Sequence, residues 1–161
     1  MLYLNEHIAQ KKKIYERYKE GLSGLPVRMN PVMDECEPNY WLSCMIIDSD
    51  AMCRQVRSER EVLYVPEHGK SCPHEILDAI ASINVEGRPI WKPMHMQPIY
   101  RQSPFIVSNG NGRGRGGAYS RDDISDCGMD VFSRGLCLPS DIKMTEEQQS
   151  RVIEVIRNCF G

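Results

Sequence analysis

Tyr40-Trp41-Leu42-Ser43-Cys44-Met45-Ile46-Ile47-Asp48 is a mostly apolar run with a β-branched pair, and it reads as the best strand candidate in the chain. Helical patterns stand on both sides of it. Upstream, residues 2–22 place Leu4, Ile8, Tyr15, Tyr18 and Leu22 at helical intervals. Lys11, Lys12 and Lys13 fall where they can be solvated. Gly21, Gly24 and Pro26 end that helix, and residues 25–38, with three prolines, read as an irregular connection. Downstream, the charged stretch Arg54–Glu61 turns the chain toward a short strand at Val62–Val65. Pro73 then opens a helix to about Asn84, with Ile76, Leu77, Ile80 and Ile83 as its apolar stripe. Val85–Trp91 reads as a second strand, stopped by Pro93.

Periodicity disappears between Arg101 and Asp130. Ser108–Gly117, SNGNGRGRGG, has the composition of a flexible loop. A short helical turn is expected around Asp130–Arg134, followed by Gly135-Leu136-Cys137-Leu138-Pro139. The closing element is the clearest. Thr145 and Gln148 have capping-box spacing, Glu146 and Glu147 suit the positive end of the helix dipole, and Val152, Ile153, Ile156 and Phe160 form a buried face. Two or three strands interleaved with about three helices predict a small α/β or α+β layer, helices packed on a short, mostly antiparallel sheet.

Composition narrows the class. With 161 residues, 41% hydrophobic and 26% charged, the chain suits one globular domain. A net charge of −2 offers no general attraction to nucleic acid or to an acidic membrane. No apolar run approaches the roughly 20 residues a bilayer span needs, and the N-terminus lacks a secretory leader pattern, so the expected location is cytoplasmic. The seven cysteines are scattered and form no CxxC pair, which predicts reduced structural thiols and neither a zinc site nor a redox dithiol. Cys72 with His74 is too sparse for a metal site. His68 and His74 are expected in solvent without a catalytic role.

The densest group of unusual side chains is Arg88-Pro89-Ile90-Trp91-Lys92-Pro93-Met94-His95-Met96-Gln97-Pro98-Ile99-Tyr100. Three prolines make it a shaped segment. Arg and Lys suit phosphate or carboxylate, Trp and Tyr suit stacking, and His and Gln suit hydroxyl groups. On the residues alone, a core Trp91, a hydrogen-bonded His95 and solvated cations are the favoured reading.

The stretch Val85–Pro98 resembles the RPxWxPxHxQP signature of the DegT/DnrJ/EryC1/StrS sugar aminotransferases. The opening helix Leu4–Leu22, the segment Asn39-Tyr40-Trp41-Leu42 and the run Phe132–Ser140 with the last helix resemble that family in order and spacing, so the likeness covers essentially the whole chain. The resemblance implies the C-terminal small domain, residues 1–161, of a dimeric fold-type I enzyme, with a flexible Gly-rich loop near 106–128. The full enzyme would use pyridoxal phosphate to aminate a nucleotide-linked keto-sugar with glutamate as donor, in amino-sugar and surface-polysaccharide biosynthesis. By motif position Arg88, Trp91, His95 and Gln97 would bind substrate, with Tyr100 a further candidate.

The cofactor chemistry needs a Schiff-base lysine, an acid for the pyridine nitrogen and a phosphate cradle. In the family these belong to the large N-terminal domain, which this chain would need as a partner, in trans or missing. Lys11, Lys12, Lys13, Lys19, Lys70, Lys92 and Lys143 do not lie in the family's lysine motif. No catalytic, cofactor-binding or metal-binding residue is therefore expected here, and the chain alone is expected to be inactive. The alternatives are a non-catalytic module that binds a sugar nucleotide or a partner, and the relic of a truncated gene. An RGG-like nucleic-acid binder through Gly112–Gly117 is disfavoured by Arg121-Asp122-Asp123 and the near-neutral chain. Without its large domain, the small domain is expected to expose an apolar patch and to self-associate.

Overall fold

A computed structural model describes residues 3–57, 62–100, 103–105, 114–115 and 126–161. These fall into two compact units, residues 1–89 with 134–161, and residues 90–133.

The first unit is α+β. Its sheet has the order β1-β2-β8-β5, antiparallel throughout, formed by β1 (Val27–Met29), β2 (Ser43–Ile47), β8 (Gly135–Leu138) and β5 (Arg88–Pro89). The central pairing sets Ser43, Cys44, Met45 and Ile46 opposite Leu138, Cys137, Leu136 and Gly135. Because side chains alternate along a strand, Met45 and Ile47 of β2 and Leu136 and Leu138 of β8 point to one face. There they join Ile14, Tyr18 and Leu22 of the first helix, Ile76 and Ile80 of the second, and Val152, Ile156 and Phe160 of the last in a single core. Three helices, α1 (Leu4–Gly21), α2 (Pro73–Ser82) and α4 (Glu146–Asn158), thus cover one side of the sheet.

Local chemistry explains each helix. Thr145 and Gln148 close a reciprocal capping box, the Gln148 N–H donating to Thr145 Oγ1 at 3.2 Å and the Thr145 N–H to Gln148 Oε1 at 2.9 Å. Pro73 begins α2, as its missing N–H permits. Asn84 ends it in the left-handed region at φ 61°. The N–H groups of Asn84 and Val85 donate back to the carbonyls of Ala81 and Ile80 at 2.9 and 3.1 Å, which is the Schellman pattern. Buried polar groups tie the helices together. Gln149 Nε2 donates to the Ile14 carbonyl at 2.8 Å, and the Tyr18 hydroxyl to that of Pro139 at 2.9 Å.

Several expectations need correction. The connection at 25–38 contains edge strand β1, because Val27, Arg28 and Met29 register against Ile47, Ile46 and Met45. The charged stretch after residue 53 is itself a strand, β3 (Arg54–Arg57), paired antiparallel with β4 (Val62–Val65). The expected strand Val85–Trp91 shrinks to β5 at Arg88–Pro89, since Asn84 is left-handed and Pro89 has no N–H to donate. Leu4 is 51% exposed, and Ile14 takes its place in the core face of α1. His74 is half-buried on α2, unlike exposed His68. The β3–β4 hairpin is anchored by the Tyr64 hydroxyl, which donates to Asp78 Oδ2 of α2 at 3.0 Å. Its other face leaves Val56, Leu63 and Val65 more than half exposed.

Burial gives the unit a defined alkaline limit. Desolvation first, then the neighbouring Asp78, push Tyr64 from 10.0 to about 12. Burial likewise raises Cys159 from 9.0 to about 11, and burial beside Cys72 and Glu75 raises Cys53 to about 12. Each folded value exceeds the unfolded one, so the unfolded chain ionises first. The stabilisation is complete below the ordinary values and is lost as pH rises through the folded ones. The melting temperature is therefore expected to hold through neutral pH and to fall steadily above about pH 9. A flat profile to the onset of chemical damage would count against these burials.

Candidate functional site

The segment singled out in the sequence is divided by the fold. Arg88 lies on edge strand β5 of the first unit, opposite Cys137 of β8. Its guanidinium is exposed and pairs with Glu86 Oε1 at 2.6 Å. Gly87 sets its position: a Cβ there would lie 2.6 Å from Ile80 Cδ1, 2.8 Å from Leu77 Cδ2 and 3.2 Å from the Cys137 carbonyl oxygen. Only glycine lets the chain pass between α2 and β8 at this point.

The second unit holds the rest. Its backbone runs through two 3-10 turns, Met94–Met96 and Pro98–Tyr100, closed by Met96 N–H to Pro93 O at 3.0 Å and Tyr100 N–H to Gln97 O at 3.0 Å. Pro93 and Pro98 preset those turns. Trp91 is 63% exposed and Tyr100 is at the surface, so aromatic area is displayed outward. Gln97 Nε2 donates to the Lys92 carbonyl at 3.2 Å, so its amide holds the turn from within.

His95 is built in more firmly. Its Nε2 lies 2.6 Å from Asp126 Oδ2, with side-chain exposures of 14% and 3%. An ionised carboxylate only accepts, so in that pairing Nε2 carries the proton. Asp126 has a second task at the start of α3 (Cys127–Arg134). Its Oδ1 accepts from the Met129 N–H at 2.9 Å, and its carbonyl accepts from the Asp130 N–H at 3.0 Å. One carboxylate therefore caps a helix and orients the imidazole. Gly128 lets the first turn of α3 approach the segment, because a Cβ there would lie 3.3 Å from Pro93 Cγ.

Sequence reading passed over Asp126, although an aspartate just before a helical turn is a cap signal. Asp126→Asn should retain the cap and shift His95 toward the Nδ1–H tautomer, visible in its ring ¹⁵N chemical shifts. Asp126→Ala should also cost about 1 kcal/mol through the lost cap. An unchanged ring spectrum in both variants would remove Asp126 from the site. The Gly-rich loop falls outside the described residues, apart from the backbone pairing of β6 (Pro104–Phe105) with β7 (Gly114–Arg115).

Two concavities in the first unit had no sequence signal. One, of about 640 Å³, runs between α1 and β1 past Lys12, Tyr15, Lys19, Arg28 and Tyr40. The other, of about 500 Å³, is lined by Asn84, Pro139, Lys143, Gln148 and Arg151. Neither encloses a lysine as Schiff-base chemistry requires. Lys12, Lys19 and Lys143 are exposed, Lys11 donates to the Trp41 and Ser140 carbonyls, and Lys13 and Lys70 pair with Glu146 and Glu67. Among the described residues no group of three or more His, Cys, Asp or Glu side chains is placed to hold a metal. None of the described helices is long and apolar enough to cross a membrane.

No protein-family model matches the chain. Its sequence is, however, 33% identical over 158 residues to EpsN of Bacillus subtilis (strain 168), whose name describes a pyridoxal phosphate-dependent aminotransferase. That match covers 98% of this chain and 32% of EpsN. Along its whole length the chain is similar to about a third of DegT/DnrJ/EryC1/StrS-type sugar aminotransferases. Its fold agrees. A DegT DnrJ EryC1 StrS aminotransferase from Brucella abortus superposes with a TM-score of 0.65 at 17% identity, over 99% of this chain and 33% of the other. DesI, crystallised with its TDP-sugar product, superposes at 0.67 and 17% identity, over 98% and 32%. The chain thus spans about a third of the length of each of these relatives.

Proposed function

We propose that this domain is the C-terminal part of a pyridoxal phosphate-dependent enzyme that aminates a nucleotide-linked keto-sugar, with glutamate as donor. The observation that carries this reading is the relation to EpsN across 98% of the chain. Within it, Arg88, Trp91, His95, Gln97 and Tyr100 serve the substrate. Trp91 and Tyr100 offer surface for stacking on base or sugar. His95, fixed by Asp126, presents an oriented ring to a sugar hydroxyl. Arg88 exchanges Glu86 for a substrate phosphate, and Gln97 keeps the intervening turn in shape.

The cofactor, when bound in the complete enzyme, supplies the electron sink for amino transfer. Six of the described lysines do not fit its attachment: Lys12, Lys19 and Lys143 are exposed, and Lys11, Lys13 and Lys70 are engaged elsewhere; Lys92 is half-buried but lies outside the family's lysine motif. The proposal therefore places the Schiff-base lysine, the pyridine-nitrogen acid and the phosphate cradle on a separate large domain. The apolar face of the β3–β4 hairpin supports a covering partner, whether that domain or a second copy in a dimer. Cytoplasmic location and a role in surface-polysaccharide synthesis belong to the same proposal.

Nuclear magnetic resonance titration of the whole chain with UDP-N-acetylglucosamine and TDP-glucose tests the substrate assignment. Perturbations centred on the Trp91 indole, the His95 ring and the Tyr100 amide are expected. Perturbations confined to the groove between α1 and β1, or none at millimolar ligand, would overturn it.

A further inference from the structure

Cys44 and Cys137 stand 93 residues apart in sequence, yet the fold sets them directly opposite each other on β2 and β8 with their sulfurs 3.6 Å apart. The register also fixes the kind of pair they make. The Cys44 carbonyl accepts from the Asn30 N–H at 2.8 Å, and the Cys44 N–H donates to Asn30 Oδ1 at 2.9 Å. Both main-chain groups of Cys44 therefore point away from β8, so Cys44 and Cys137 are a non-hydrogen-bonded pair. Such pairs bring their Cα atoms to about 4.5 Å, within the roughly 4.4–6.8 Å that a disulfide spans. Closing the bond needs side-chain rotation, without sliding the strands.

We propose that Cys44 and Cys137 form an oxidisable thiol pair that closes to a cross-strand disulfide by exchange with a small-molecule disulfide. Cys44 is the half-buried member and Cys137 is 3% exposed, so the incoming disulfide meets Cys44 first. The contact with Cys137 also holds Cys44 below its ordinary 9.0, and the same contact with burial pushes Cys137 up. Attack therefore begins at Cys44. Its thiolate takes one sulfur of the small disulfide, the sulfur–sulfur bond breaks, and the first small thiolate leaves and takes up the proton that Cys44 gave to solvent. Cys137 then loses its proton and attacks Cys44 Sγ, expelling the second small thiolate. Two protein thiols are oxidised by two electrons, and one small disulfide is reduced to two thiols.

The position gives the bond a consequence. Cys137 faces Arg88 across β5 in the same register row, and residues directly opposite on neighbouring strands share a face. Closure locks the two central strands beside the edge strand that carries Arg88. A second pair of buried cysteines is less accessible: Cys53 lies beside Cys72 and directs its sulfur toward Glu75 Oε2 at 3.9 Å, but the two are 3% and 0% exposed, which shields both from an incoming disulfide.

The test is to incubate the whole chain with oxidised glutathione, trap free thiols with N-ethylmaleimide, and map the unreduced peptides by mass spectrometry. The expected result is a loss of two hydrogens in the intact mass and a cross-link joining the Cys44 and Cys137 peptides. The melting temperature should rise on closure and return with dithiothreitol, and Cys44→Ala should abolish both changes. A stable glutathione adduct on Cys44, an unreacted pair, or cross-links that exclude this pair would overturn the proposal. The wild-type map decides the matter alone if the variant misfolds.

Discussion

Leu136→Ala is expected to destabilise the first unit by about 2–5 kcal/mol, the range for truncating a buried leucine that leaves a cavity. Leu136 is fully buried at the centre of β8, opposite Met45 on β2 and Pro89 on β5. Its side chain meets the core that α1, α2 and α4 close over, so little can collapse into the space it leaves. Urea unfolding should show a lower midpoint with an unchanged slope. A loss below about 1 kcal/mol would mean that β8 is not the centre of the packing.

Gly87→Val should cost about 1–3 kcal/mol by overpacking, and it should do more than destabilise. Two of the three atoms a Cβ would strike are side-chain tips on α2, but the third is the Cys137 carbonyl oxygen, which belongs to the sheet. The least costly relief is for β5 to lift from β8, carrying Arg88 out of register. The expected signature is a lowered melting temperature together with lost amide protection at Arg88. A variant as stable as the wild type would show that the chain does not thread tightly there.

Much of the fold could be read in the sequence because it is written in local chemistry. The Thr145–Gln148 capping box, Pro73 at the start of α2 and the apolar stripes of α2 and α4 each need only neighbouring residues to be recognised. Ser43–Ile47 lay inside the apolar run that opened the reading. What escaped was pairing. Val27–Met29 has no strand pattern of its own and becomes one only by registering against β2. Gly135–Leu138 is too short to stand out, yet it is the strand on which β2 and β5 both depend. Asp126 and His95, like Cys44 and Cys137, meet only because the chain returns from far away. The expected substrate residues were visible as residue types, and the expected strand Val85–Trp91 already held Arg88, but the two 3-10 turns that carry His95 and Tyr100 were not foreseen.

The proposed function divides the labour: this domain would serve the sugar nucleotide, and a separate large domain would carry the cofactor lysine. The most direct measurement incubates the whole chain with pyridoxal phosphate, glutamate and a UDP-linked 4-keto-sugar. Turnover is followed, and then the chain is reduced with borohydride to fix any lysine-bound cofactor for mass spectrometry. The account predicts no amino-sugar product and no single lysine modified in proportion to protein. Turnover, or stoichiometric labelling of one lysine such as Lys92, would show a complete active site within these 161 residues and would contradict it.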